Sequence, residues 1–339
     1  METNIPEWCQ RIPKVELHLH LEGSIPLPTL WQLIQKYGGN AETPTLDSLT
    51  SKFTYKDFPH FIQTWIWMTQ FLREYEDFTL ISEAVARDLA AQNIRYVEAF
   101  FSPNDFAEHG LTVQRIAEAI RTGLDRVPQV RISLIPDLTR DTGPDLTKAE
   151  NVMHAAAELR DLGVIGIGLG GSEQDFPAEL FASVYEKARK LGLHTTAHAG
   201  EAAGPESVWA ALDVLKVQRI GHGVRSIEDP ALVRELAKRR IPLEVCPISN
   251  MRTGIYSFID EHPIRKLYER GVVVTVNTDD PKLFGNSLAG EYALLVSQLG
   301  FTSEEVKGLI LQGITSSWLS DSKKKALIQE FQDDPGWQL

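Results

Sequence analysis

Eight short runs of β-branched and apolar residues, at 15–19, 95–101, 130–138, 164–169, 193–198, 219–222, 242–246 and 272–278, divide this chain, with helical periodicity between them. Strands that alternate with helices pair in parallel, and eight such units predict an α/β fold of the (β/α)8 TIM-barrel type. The stretch 177–191 reads as one intervening helix, stopped by Gly192. Another is expected at 229–239, opened by Asp229 as cap and Pro230 in the first turn. At 339 residues the chain exceeds the roughly 250 typical of such barrels, so a single domain over 1–339 has room for insertions. One is expected after the first strand, at about 24–90, where Phe58, Phe61, Ile62, Trp65, Met68, Phe71, Leu72 and Tyr75 recur at helical spacing. They predict a lid helix over the barrel mouth, with its apolar face in the core and Phe61 or Trp65 within reach of a ligand.

In such a barrel the functional groups gather at the C-terminal ends of the strands, and four of the runs end in metal-ligating side chains. His18 and His20 close the first, and residues i and i+2 of a strand share a face, so both can grip one ion. His198 closes the fifth and leads into Ala199-Gly200-Glu201. His222 closes the sixth between two glycines, and Asp279-Asp280 follow the eighth. Three imidazoles and a carboxylate, His18, His20, His198 and Asp279, form a ligand set suited to one Zn2+, whose bound water would have its pKa lowered from about 15.7 toward about 7. His222 could orient that water, accept its proton or stabilise developing charge. Glu201 stands where a proton donor and shuttle would serve the other side of a substrate, and Asp280 could accept a hydrogen bond from it. Read singly, each has a plainer account. Asp279-Asp280 would make a helix cap, Glu201 a solvated loop residue, and His60, His109, His154, His194 and His262 are given structural or surface places. The joint pattern at four strand ends favours the site.

The remaining features mostly exclude classes. A net charge of -12 with no run of Lys or Arg argues against nucleic acid or an acidic membrane surface as partner. The first residues carry no basic segment followed by an apolar one, and no run approaches the length of a membrane span. Cys9 and Cys246 are the only cysteines, which fits a reducing compartment. A cytoplasmic enzyme acting on a small molecule is the expectation, with the oligomeric state left open.

At the residues just named the chain resembles the adenosine deaminase family of the amidohydrolase superfamily. The likeness runs from Pro13-Lys14-Val15-Glu16-Leu17-His18-Leu19-His20-Leu21-Glu22-Gly23, through Val97-Glu98-Ala99-Phe100-Phe101-Ser102-Pro103 and Gly168-Leu169-Gly170-Gly171-Ser172-Glu173, to His198-Ala199-Gly200-Glu201, Arg219-Ile220-Gly221-His222-Gly223, Cys246-Pro247-Ile248-Ser249-Asn250 and Asn277-Thr278-Asp279-Asp280-Pro281. It implies hydrolytic deamination of a 6-aminopurine to the 6-oxo product and ammonia. Glu201 would protonate ring N1, and water on the zinc, positioned by His222 and Asp279, would attack C6. Asp280 would accept a hydrogen bond on the N7 side, and the Gly171 N–H would meet N3. Glu22, Ser102 and His20 would complete the substrate pocket. Many amidohydrolases bridge two metals with a carbamylated lysine on the fourth strand. The fourth run here has none, so one metal is expected. The small deaminases with Pro-Cys-x-x-Cys are excluded, because Ile248-Ser249-Asn250 follows Pro247.

On substrate the resemblance divides. Family members acting on adenosine usually carry aspartate at the position of Glu22, facing the sugar, whereas the glutamate looks more like members that take adenine or a modified nucleoside. Gly170-Gly171-Ser172-Glu173 and Gly221 look more like nucleoside-type members, since an adenine deaminase is expected to carry Asp before His222. The sequence reading ranks adenosine or 2′-deoxyadenosine first, aminodeoxyfutalosine second and adenine third. A catalytically silent nucleoside-binding protein is the remote alternative.

Overall fold

The computed structural model describes residues 5–140 and 146–338. Each of the eight runs overlaps a strand: β1 (Lys14–His20), β2 (Ile94–Phe101), β3 (Arg131–Pro136), β4 (Gly166–Ile167), β5 (His194–Ala199), β6 (Arg219–His222), β7 (Leu243–Val245) and β8 (Val274–Val276). All pairings are parallel, in sheets of order β1-β2-β3 and β4-β5-β6-β7-β8. Isolated parallel bridges join the sheets at both seams. Leu134 pairs with Val164 and Asp137 with Gly168 on one side, and Leu19 with Asp279 on the other. The His20 N–H donates to the Asp279 carbonyl at 2.9 Å and the Asp279 N–H to the His18 carbonyl at 3.1 Å.

Several strands are shorter than their apolar runs, because burial extends past the ladder. Val164, Leu169, Val272 and Val273 are buried without belonging to β4 or β8. Residues of β1 are buried along their whole length, both faces being covered. The helix expected at 229–239 is Pro230–Arg239, and the Asp229 carboxylate accepts from the Ala231 N–H at 2.8 Å as its cap. The one expected at 177–191 begins as a 3₁₀ turn, Ala178–Phe181, and continues as Ala182–Lys190. Between β1 and β2 lie helices Leu27–Lys36, Leu46–Lys52, Phe58–Thr69 and Tyr75–Ala91. Phe71 and Leu72 are buried after the third of these, and Tyr75 opens the fourth, so the expected aromatic stripe is shared between two helices. No helix among the described residues is long and apolar enough to cross a membrane. Both cysteines are buried and free.

Candidate active site

The imidazoles of His18, His20, His198 and His222 converge with the carboxylate of Asp279 at the C-terminal ends of β1, β5, β6 and β8. His18 Nε2 and His198 Nε2 are 3.0 Å apart, and His20 Nε2 lies 3.2 Å from His198 Nε2 and 3.3 Å from Asp279 Oδ1. One ligand atom from each of His18, His198, His222 and Asp279 falls within 4.8 Å of all the others. His222 stands in this group where the expected ligand set had His20. Two of these residues adopt a left-handed backbone, His222 at φ 58° and Asp279 at φ 68°. Such a conformation costs about 1–3 kcal/mol outside glycine and gathers at functional sites.

A second layer of partners fixes the ring nitrogens. The His198 Nδ1–H donates to the Leu169 carbonyl at 3.0 Å, which leaves a lone pair on Nε2, and His18 Nδ1–H donates to Glu244 Oε2 at 2.9 Å. Glu244 is itself held by Arg219, whose Nε lies 2.6 Å from its Oε1 and whose Nη1 reaches Glu98 at 2.6 Å. Ser249 Oγ donates to Asp279 Oδ2 at 2.7 Å. Burial holds His20 down to a pKa of about 4 and His222 to about 3, and pushes His198 well below the usual imidazole range. At His18 burial opposes charge too, but Asp279 and Glu244 outweigh it and raise its pKa to about 10. The proton on His18 Nε2 thus sits between converging acceptors, where a cation with three imidazole ligands and a carboxylate fits by donor chemistry. Gly221 makes the approach possible: a Cβ there would meet His18 Cε1 at 2.8 Å.

Above the cluster opens a cavity of about 720 Å3. His20, His198, Glu201, His222, Asp279, Asp280, Ser102 and Gly171 all line it. The helix Phe58–Thr69 lines it with Phe58, Phe61, Ile62 and Trp65. Trp65 meets the His20 ring edge-on at 5.9 Å and donates from Nε1 to Asp105 Oδ2 at 3.1 Å. Glu201 sits on a turn held by Glu173, whose carboxylate accepts from the N–H groups of Gly200, Glu201, Ala202 and Ala203 at 2.6–3.1 Å. Burial, with Asp279 and Glu173 nearby, pushes the Glu201 carboxyl well above its ordinary range, and burial with Asp279 and Glu201 does the same to Asp280. The Asp280 side chain makes no cap for the helix Pro281–Phe284. It instead overlies Gly23, where a Cβ would fall 1.7 Å from Asp280 Oδ1.

Glu22 does not line the cavity. It is fully buried, and its Oε1 accepts from the Ser102 N–H at 2.9 Å. A different carboxylate does line it. Asp137, at the end of β3, is buried with Oδ1 unpartnered and its pKa raised by burial to about 7. No motif marked it, because a single aspartate after an apolar run is a common loop start. His109, left without a role, lines the rim, and His262 lies 3.2 Å from the Asn250 amide, which in turn reaches His222. A pair of such contacts leaves no spacing in sequence to read.

A model of the adenosine deaminase family matches residues 13–334. The chain is 37% identical over 306 residues to the adenine deaminase of Ectopseudomonas mendocina, covering 89% of this chain and 96% of that one. It is 35% identical over 325 residues to the aminodeoxyfutalosine deaminase of Streptomyces avermitilis, covering 94% and 90%. Among solved structures, an amidohydrolase of Burkholderia ambifaria with bound zinc superposes with a TM-score of 0.87 at 30% identity, over 96% of this chain and 91% of that one. Since the matched region takes in every strand and every residue of the histidine cluster, this protein belongs to the adenosine deaminase family, enzymes that hydrolyse C–N bonds of purines.

Proposed function

We propose that the protein is a zinc-dependent deaminase of a 6-aminopurine nucleoside extended at the 5′ end of its sugar, with aminodeoxyfutalosine as the type substrate. The observation that carries this reading is the cavity. About 720 Å3 lies within the range of pockets that enclose drug-sized ligands and leaves space beyond the base for a sugar and an apolar substituent under Phe58, Phe61, Ile62 and Trp65. Gly221 supports a nucleoside too, since an Asp there, as expected of adenine deaminases, would press on His18. Free adenine is the second reading, favoured by the 37% identical relative of that name. Adenosine, first in rank from the sequence, yields to both, because neither relative aligned above carries its name.

In this reading the pairings at both seams close a (β/α)8 barrel, one domain whose insertion after β1 forms the lid, and the free cysteines suit the cytoplasm. His18, His20, His198 and Asp279 would hold one Zn2+, a reading supported by the close approach of their ligand atoms and by the zinc-bound relative. When bound, that ion supplies a water of lowered pKa. Glu201, kept protonated by burial, donates to ring N1 and draws electrons from C6. Asp280 is likewise protonated and donates to N7, which has only a lone pair to offer, so its expected role as acceptor is reversed. The Gly171 N–H, at φ 96°, faces N3. Ser249 keeps Asp279 in place, and His222 and the lid exclude bulk water from the base.

The test is loss of 6-aminopurine absorbance by the zinc-loaded enzyme with aminodeoxyfutalosine, adenosine, 2′-deoxyadenosine and adenine. The expected outcome is a specificity constant for the 5′-extended nucleoside at least about tenfold above the rest, and a Glu201→Gln control slower by roughly 10² or more. A preference for adenine overturns the substrate reading, and silence on all four overturns the reaction.

A further inference from the structure

His222 lines the active-site cavity, and its buried Nε2 has no hydrogen-bond partner among the described residues, the nearest carboxylate oxygens being those of Glu201 at 3.6 Å and Asp279 at 3.7 Å. Whether that nitrogen carries a proton or a lone pair decides what the residue can do, and the answer lies on the far side of the ring. His222 Nδ1 is 3.1 Å from Asn250 Nδ2, Asn250 Oδ1 is 3.2 Å from His262 Nε2, and His262 Nδ1 is 3.3 Å from the backbone N of Ile264. A backbone N–H can only donate. His262 Nδ1 is therefore the acceptor, which puts the proton of that neutral ring on Nε2. His262 Nε2–H then donates to Asn250 Oδ1, Asn250 Nδ2–H donates to His222 Nδ1, and the His222 proton must lie on Nε2. Turning the Asn250 amide over would set two N–H groups face to face at 3.2 Å, so the chain runs one way only.

We propose that Asn250 and His262 are positioning residues that hold His222 in its Nε2–H form, presenting a proton donor to the reacting atoms instead of a lone pair to the metal. The chain is well anchored. Asn250 sits in the short helix Pro247–Arg252, its N–H donates to the Cys246 carbonyl at 3.0 Å, and its own carbonyl accepts from the Tyr256 N–H at 3.1 Å. His262 is buried against the Tyr256 ring, with centroids 5.3 Å apart. Among the described residues no hydrogen bond or ring contact joins Asn250 or His262 to His18, His20 or His198, and neither lines the cavity. Asn250 is thus distinct from its neighbour Ser249, which serves Asp279 directly. The catalytic consequence rests on the deaminase reading, whereas the tautomer does not.

The experiment is a 1H–15N spectrum of histidine-labelled enzyme, zinc-loaded and metal-free, with His222 identified by the signals lost in His222→Gln. The expected parent pattern is a protonated Nε2 and a lone pair on Nδ1 in both forms. In Asn250→Asp the carboxylate accepts from both neighbours, so the His222 pattern inverts and kcat falls on the order of 10²–10³-fold, with KM little changed. His262→Gln, whose amide N–H still donates to Asn250, keeps the parent pattern and a kcat within a few-fold, whereas His262→Leu loses both. This pair decides the matter if Asn250→Asp does not fold. A lone pair on Nε2 of the parent overturns the proposal. So does an Asn250→Asp enzyme with an inverted pattern and undiminished kcat. If no 6-aminopurine is turned over, the spectra still decide the tautomer, so the two readings fail separately.

Discussion

Glu22 shows how a side chain two positions past a histidine of the cluster can be buried outside the cavity lining. Its carboxyl is sealed beneath the Ser102 N–H, and burial raises its pKa from an ordinary 4.5 to about 8. The folded chain therefore holds a proton that the unfolded chain releases between those values, and stability attributable to this group is complete below about 4.5 and lost as pH rises through about 8. Glu22→Gln keeps the acceptor and removes the titration. In metal-free protein its melting temperature should gain on the parent between pH 4.5 and 8 and run level with that gain above 8, as differential scanning across the range would register. A constant difference would mean that Glu22 is ionised in the fold. Glu22 also illustrates what one residue's place in sequence conceals. The convergence of His18, His20, His198, His222, Asp279 and Asp280 is legible because each ends or directly follows an apolar run, and that of Glu201 because it lies one turn past His198. The directions of Glu22 and Asp137 depend instead on which strand end leans over the cavity.

At the scale of elements, the turn after β5 and the loop after β4 act as one unit. Glu173 gathers four backbone N–H groups and so sets the place of Glu201, 28 residues away in sequence, after strands that pair in parallel. Glu173→Gln turns one acceptor oxygen into a donor facing those N–H groups. It should cost about 1–3 kcal/mol of stability and lower kcat at least about tenfold, while zinc content measured by atomic emission stays at parent level. Loss of zinc along with activity would instead tie this turn to the metal ligands. The eight strands could be read from the sequence because β-branched runs and burial coincide. Their true lengths could not, since Val164 and Val272 are as buried as strand residues while lying outside the ladders. The stripe from Phe58 to Tyr75 likewise reads as one helix until Phe71 and Leu72 turn into the core.

For the molecule as a whole, the histidine cluster couples folding to the metal. An ion that binds only the folded chain stabilises it by about 4 kcal/mol at a thousand times its dissociation constant. Chelator-stripped enzyme should therefore melt at a clearly lower temperature and recover on adding one equivalent of Zn2+. Because His18 holds its proton up to about 10 in the metal-free state, uptake must expel it. Affinity should climb roughly tenfold per pH unit between 7 and 9, and a chelator competition series that gave a flat profile would contradict this. The same cluster is assembled from both ends of the chain, for β1 brings His18 and His20 while Asp279 follows β8 and pairs with Leu19 across the seam. A polypeptide still emerging from the ribosome therefore owns two imidazoles well before it owns the acid that completes the set. Copies cut short before Asp279 would make poor scavengers of a metal ion, and possession of the ion becomes a certificate that the eighth strand has been made and folded against the first.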